Sequence, residues 1–98
     1  MTRQEKLNYV VNQNPEEFIL KEEQERIKYV IMQEFVKLRK EKGVTQEELS
    51  RRTGIARPNI ARMENGSYNP TIDMMARLAA GLDMHLEIKW MPNNQVSN

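Results

Sequence analysis

The chain has no cysteine, and that single absence removes disulfide staples, thiolate metal sites and cysteine nucleophiles together. It has one histidine, His85, too few for an imidazole metal cluster. No apolar run reaches ~18 residues, and Met1 to Asn14 contain no continuous apolar core of a signal peptide. A cytosolic protein with no membrane partner is expected. No glycine-rich phosphate loop occurs, and no nucleophile has a histidine partner, so neither an enzyme nor a cofactor is expected. Glycine and proline are sparse at four each, and aromatics make up 6% of the chain, which excludes collagen-like and low-complexity classes. What remains in 98 residues is one small, soluble, helix-rich domain.

Charge is plentiful but nearly balanced, with a formal net charge of +1. Its distribution is not balanced. Residues 37–62 carry eight basic side chains against three acidic ones, while residues 1–36 and 63–98 each carry two more acids than bases. A basic middle between acidic ends points to an anionic partner met by one face.

Hydrophobic spacing divides the chain into short helices. Asn14, Pro15, Glu16 and Glu17 read as a cap, a first-turn proline and an acidic first turn, so a short helix is expected to begin there. A second helix is expected from about Glu22 to Lys42, with Ile27, Val30, Ile31, Phe35 and Leu38 on its apolar stripe and Gly43 as its stop. Thr45 and Glu48 fit a capping box opening a third helix at Gln46, which ends by Thr53 because Gly54 supplies a sharp turn. Ile55 reads as an apolar plug beneath that turn. A fourth helix follows with Pro58 in its first turn, Ile60 and Met63 on one face, and Asn65–Gly66 as its end. Thr71 caps a fifth, in which Ile72, Met75, Ala76, Ala79 and Leu82 form the expected buried stripe and Gly81 the stop. Met63, Met74, Met75 and Met84 read as core gap-fillers. Finally Met84, Leu86, Ile88 and Trp90 alternate with His85, Glu87 and Lys89, the period of a half-buried strand. A lone strand needs a partner, whether a second copy of the chain, a segment of the N-terminal arm or another protein; a second copy, paired antiparallel through Leu86, Ile88 and Trp90, is the expected one.

The expected fold is therefore mainly α: about five helices around a helix-turn-helix, an N-terminal helical extension and one C-terminal β-strand. The divisions are an arm and extension over 1–26, the helix-turn-helix domain over 27–82, the dimerisation strand over 83–90 and a flexible tail over 91–98. Helix, tight turn and helix, with basic residues on the second helix, is the arrangement that inserts into a DNA major groove. Arg57, Asn59 and Arg62 are the candidates for base edges, arginine for guanine O6 and N7 and asparagine for adenine N6 and N7. Arg51 and Arg52 are candidates for phosphate contact, with a solvated helix face as the alternative. Ala56 stands where a capping Ser or Thr would be worth ~1 kcal/mol. Reading DNA specifically takes a two-fold homodimer on double-stranded operator DNA.

Leu49, Ser50, Gly54, Ile55, Ile60 and Met63 together resemble the Cro and phage-repressor (XRE) family over about Val30 to Leu82. That resemblance implies that Gln46 holds a phosphate, that Ser67 and Asn69 meet the next phosphates, and that Arg39 and Glu64 form an internal ion pair. The N-terminal extension, the run Ile60, Met63, Glu64, Asn65, Gly66, the helix capped after Pro70 by Thr71, and the terminal hydrophobic strand resemble HigA-type antitoxins. This implies a RelE/HigB-like ribonuclease toxin as partner and repression of the protein's own operon. Phe18, Ile19 and Leu20, which have no place in the minimal domain, are the candidate toxin surface; covering the domain's own core is the competing role. A free-standing dimeric repressor is the alternative function, and a helical module without DNA binding the third.

Overall fold

A computed structural model describes residues 15–92 of the chain. Four helices occupy these residues: α1 (Pro15–Glu41), α2 (Gln46–Thr53), α3 (Arg57–Glu64) and α4 (Ile72–Gly81). The two helices expected before Gly43 are one helix of 27 residues. Residues 16–42 contain neither glycine nor proline, so nothing interrupts the backbone ladder once Pro15 has started it.

Only the second half of α1 reaches the core. Met32 is buried, and Ile31, Phe35 and Leu38 pack beside it, whereas Ile27 and Val30 of the expected stripe remain exposed. The buried face is rotated to Ile31, Met32, Phe35, Leu38 and Arg39, because α1 packs against α3. The fifth expected stripe is rotated too. In α4, Leu78, Gly81 and the following Leu82 are buried with Met74 packed against them, while Ile72 is 66% exposed and Ala76 lies at the surface. Leu49, Ile60, Met63, Leu78 and Leu82 make the centre of the core, with Val44 and Ile55 under the two turns that flank α2. Met63 fills the core as expected, but Met84 is 41% exposed.

Helix α4 ends at Gly81 as expected, but without the left-handed glycine conformation, and Gly81 has a second role. It is the last residue of α4, and a Cβ there would lie 2.7 Å from both Leu49 Cδ1 and Thr53 Cγ2. The missing side chain lets α4 approach α2 closely. The chain reverses two residues later, where Asp83 adopts φ 57°, the amide of Asp83 donates to the Ala80 carbonyl and that of Met84 to Ala79. The same 6→1 and 5→2 pairing closes α3, with Ser67 donating to Arg62 and Gly66 to Met63.

Met84–Trp90 forms neither helix nor strand within the described residues. The expected β-strand is not realised in the single chain. A strand is defined by ladder hydrogen bonds to a neighbour, and no strand lies among the described residues to pair with it. All four apolar residues of the segment are exposed: Met84 41%, Leu86 38%, Ile88 57% and Trp90 98%. No described helix is long and apolar enough to cross a membrane.

Candidate nucleic-acid interface

The turn between α2 and α3 is built by three local devices. Thr45 Oγ1 accepts from the Glu48 amide at 3.0 Å and starts α2. Half of the expected capping box is absent, because the Glu48 carboxylate is held by Arg51 and by Arg52, the latter at 3.0 Å. Gly54 then takes φ 77° and its amide donates to the Ser50 carbonyl, ending α2 in a conformation that an L side chain would resist. The Ser50 hydroxyl donates to the Ile55 carbonyl at 2.6 Å, so this position not only is small but also ties the turn to the helix before it. Sequence spacing gave the small size but not the bond.

Ile60 and Met63, both 0% exposed, fix the inner face of α3 and leave Arg57, Asn59 and Arg62 on its outer side. Arg62 Nη1 donates to Asn59 Oδ1 at 2.9 Å, so two of the three base-reading candidates are already joined. Ala56 precedes α3 with no side-chain cap, and Pro58 in the first turn is the remaining start signal. Ala56→Ser is therefore expected to add about 1 kcal/mol of stability, read as a higher denaturation midpoint.

A three-helix link lies behind this face. Arg39 at the end of α1 donates from Nε to Glu64 Oε2 at 2.6 Å, from Nη2 to Glu64 Oε1 at 2.8 Å and from Nη1 to the Val44 carbonyl at 2.8 Å. Both side chains are under a tenth exposed. Gln46, the first residue of α2, donates from Nε2 to the same Glu64 Oε1 at 2.9 Å. One carboxylate thus joins the end of α1, the start of α2 and the end of α3, and orients the Gln46 amide.

The other candidates are placed less uniformly. Arg51 is 75% exposed beside Glu48. Arg52 is turned to α4, where Nη1 donates to the Gly81 carbonyl at 2.9 Å. Ser67 donates through its hydroxyl and its amide to Asn65 Oδ1, which shapes the loop after α3. Asn69 Oδ1 accepts from Lys28 Nζ at 3.1 Å, which brings a lysine of α1 beside that loop. No sequence signal joins residues 41 positions apart. Ile19 and Leu20 are 66% and 58% exposed and so do not cover the core; the Phe18 side chain, residues 1–14 and residues 93–98 lie outside those described. On the same exposed half of α1, the Arg26 side chain hydrogen-bonds Glu23 and holds its carboxyl below the usual carboxylate range.

Two short helices joined by a three-residue turn, with a glycine in left-handed conformation and a buried Leu49, Ile55, Ile60 and Met63 set, define a helix-turn-helix protein. The chain belongs to the helix-turn-helix family, which residues 36–89 match. It is similar to an uncharacterised HTH-type transcriptional regulator, y4dJ, of Sinorhizobium fredii, at 40% identity over 55 residues, 55% of this chain and 71% of that protein. It is also 32% identical over 76 residues to an uncharacterised HTH-type transcriptional regulator of Haemophilus influenzae, covering 74% of this chain and 78% of that one. Among solved structures, it is similar to a chain of a toxin-antitoxin module from Streptococcus pneumoniae, with a TM-score of 0.56 and 30% identity over 86% of this chain and 90% of that chain.

Proposed function

We propose that the protein is a DNA-binding transcriptional regulator that acts as the antitoxin of a toxin-antitoxin pair and represses its own operon in the cytoplasm. The observation that carries this is the outward pairing of α3, where Arg57, Asn59 and Arg62 stand on a helix anchored by Ile60 and Met63. Gln46, oriented by Glu64, supplies a phosphate contact beside it, and Ser67, Asn69 and Arg51 extend the phosphate track. Arg52, tied to Gly81, is the least available of the set.

The antitoxin half rests on likeness beyond the helix-turn-helix itself. The Streptococcus pneumoniae match covers 86% of this chain, more than the helix-turn-helix alone. The first turns of α1 present Ile19 and Leu20 as an exposed apolar strip beside Glu16 and Glu22, while Glu23 and Glu25 are paired with Arg26 and Lys28. Such a strip suits a basic protein, as a ribonuclease is, and Phe18 joins it in sequence. Leu86, Ile88 and Trp90 are assigned to a homodimer, whose second copy completes the β-ladder that Met84–Trp90 lacks alone.

Two measurements separate the parts. The full chain is expected to retard duplex DNA from upstream of its own gene, and Ile19→Asp with Leu20→Asp is expected to leave that retardation intact while abolishing co-purification with the protein encoded next to it. Retardation without any co-purifying neighbour would leave a free-standing repressor. Absence of retardation at low salt would refute the DNA reading.

A further inference from the structure

The outward side chains of α3 offer hydrogen-bond donors and almost no acceptor. Ile60 and Met63 are buried, and Pro58 and Ala61 carry no polar side-chain atom. The helix has one carboxylate, Glu64, and it is turned inward, 8% exposed, onto Arg39 and Gln46. The remaining side-chain acceptor is Asn59 Oδ1, one lone pair of which is held by Arg62 Nη1 at 2.9 Å. Arginine can only donate, so the amide oxygen must face Arg62 and the amide NH2 must face away.

This arrangement bears directly on which base the helix reads. Asparagine recognises adenine by accepting from N6 while donating to N7, whereas the Arg62 guanidinium on Asn59 Oδ1 occupies one of its two lone pairs and sets a cationic donor beside the place of the N6 donor. Guanine offers N7 and O6, two acceptors, to a pair of donors. We infer that Asn59 and Arg62 work as one donor unit that selects guanine, with Asn59 as the positioning residue that holds the Arg62 guanidinium and not an adenine reader. The inference rests on the DNA-binding reading above and replaces the adenine contact that residue type alone suggests for Asn59. With Arg57 also a pure donor, the half-site read by α3 is rich in guanine on the strand it faces.

The test is selection of duplexes from a random library by the full-length protein, followed by affinities for the selected duplex and for duplexes with single guanine-to-adenine changes. Wild type is expected to prefer guanine at one position of each half-site by roughly ten- to a hundredfold. Arg62→Ala is expected to abolish the preference there, Asn59→Ala to reduce it at that same position, and the double variant to be no worse than Arg62→Ala alone. Neither side chain is in the core, so helical content and midpoint should match wild type and serve as the folding control. An adenine preference that disappears in Asn59→Ala but survives in Arg62→Ala would overturn the inference, as would a guanine preference that Asn59→Ala leaves untouched. A library with no enriched sequence would overturn the DNA reading itself, and the inference with it.

Discussion

Glu64→Ala is expected to cost about 3–5 kcal/mol of folding stability, a large share of the 5–15 kcal/mol available to a small domain. The loss arises because the substitution strands Arg39, whose guanidinium is buried and makes two of its three hydrogen bonds to Glu64. Gln46 loses its partner at the same time. A charge left in a low-dielectric site without compensation is more costly than the ion pair was ever worth, so removing both partners costs far less than removing one. Arg39→Met with Glu64→Leu is expected to recover most of the stability, because the desolvation cost of both ions disappears together. Chemical denaturation of the two variants and wild type checks this, and a double variant as unstable as Glu64→Ala would contradict it. By comparison the Arg26–Glu23 pair, exposed on α1, contributes little. The double variant should nonetheless bind DNA less well than wild type, since nothing then orients Gln46.

Ile60→Ala is expected to cost about 2–5 kcal/mol, from lost burial and from the cavity left where the α3 anchor met α1 and α2. Ile60 is 0% exposed and lies at the centre of a core with eight buried hydrophobic members among the described residues, so little surrounding mass can collapse into the gap. Its effect on DNA binding should follow its effect on folding, because α3 is held in place by Ile60 and Met63. Arg62→Ala separates the two: DNA affinity should fall with the denaturation midpoint unchanged. Equal midpoints for Ile60→Ala and wild type would mean that α3 is anchored in some other way.

The helix-turn-helix was legible because its signals are local. Thr45, Gly54, Pro58 and the Leu49, Ile55, Ile60 and Met63 set each act within a few residues, and the structure forms α2, the turn and α3 where they indicate. The expected stripes of α1 and α4 were right for Ile31, Phe35, Leu38 and Leu82 but missed Met32 and Leu78, for a different reason. Their periodicity contains more apolar residues than one face can bury, and only the position of α3 and α2 decides that Met32 is inside and Val30 outside, or Leu78 inside and Ile72 outside. The length of α1 could have been read from the lack of glycine and proline between Glu16 and Lys42, a signal that the apparent cap at Asn14 and the later stripe obscured.

In the candidate site, residue type and helical position put Arg57, Asn59 and Arg62 on the outer side of α3, where the structure has them, but did not say which groups are already engaged. The Arg62–Asn59 bond, the Gln46–Glu64 bond and the link from Lys28 to Asn69 depend on side-chain geometry across turns or between helices. Arg52 illustrates the cost of judging by charge alone: adjacent to Arg51 in sequence, it is drawn to the Gly81 carbonyl by the close approach of α4 that Gly81 permits. The alternating segment Met84–Trp90 is readable as strand-forming only in the presence of a partner, which a single chain does not contain.

The central claim, that α3 carries a DNA-binding surface, is tested most directly by measuring affinity for duplex DNA from upstream of the gene across a salt series, for wild type and for Arg57→Ala with Arg62→Ala. Wild type is expected to bind at low salt with log K falling linearly as log salt rises, at a slope of about −0.9 for each phosphate contacted. The variant is expected to retain that phosphate-driven binding while losing its preference for this DNA over random sequence. Binding that is absent at low salt, independent of salt, or equally selective in the variant would contradict the account.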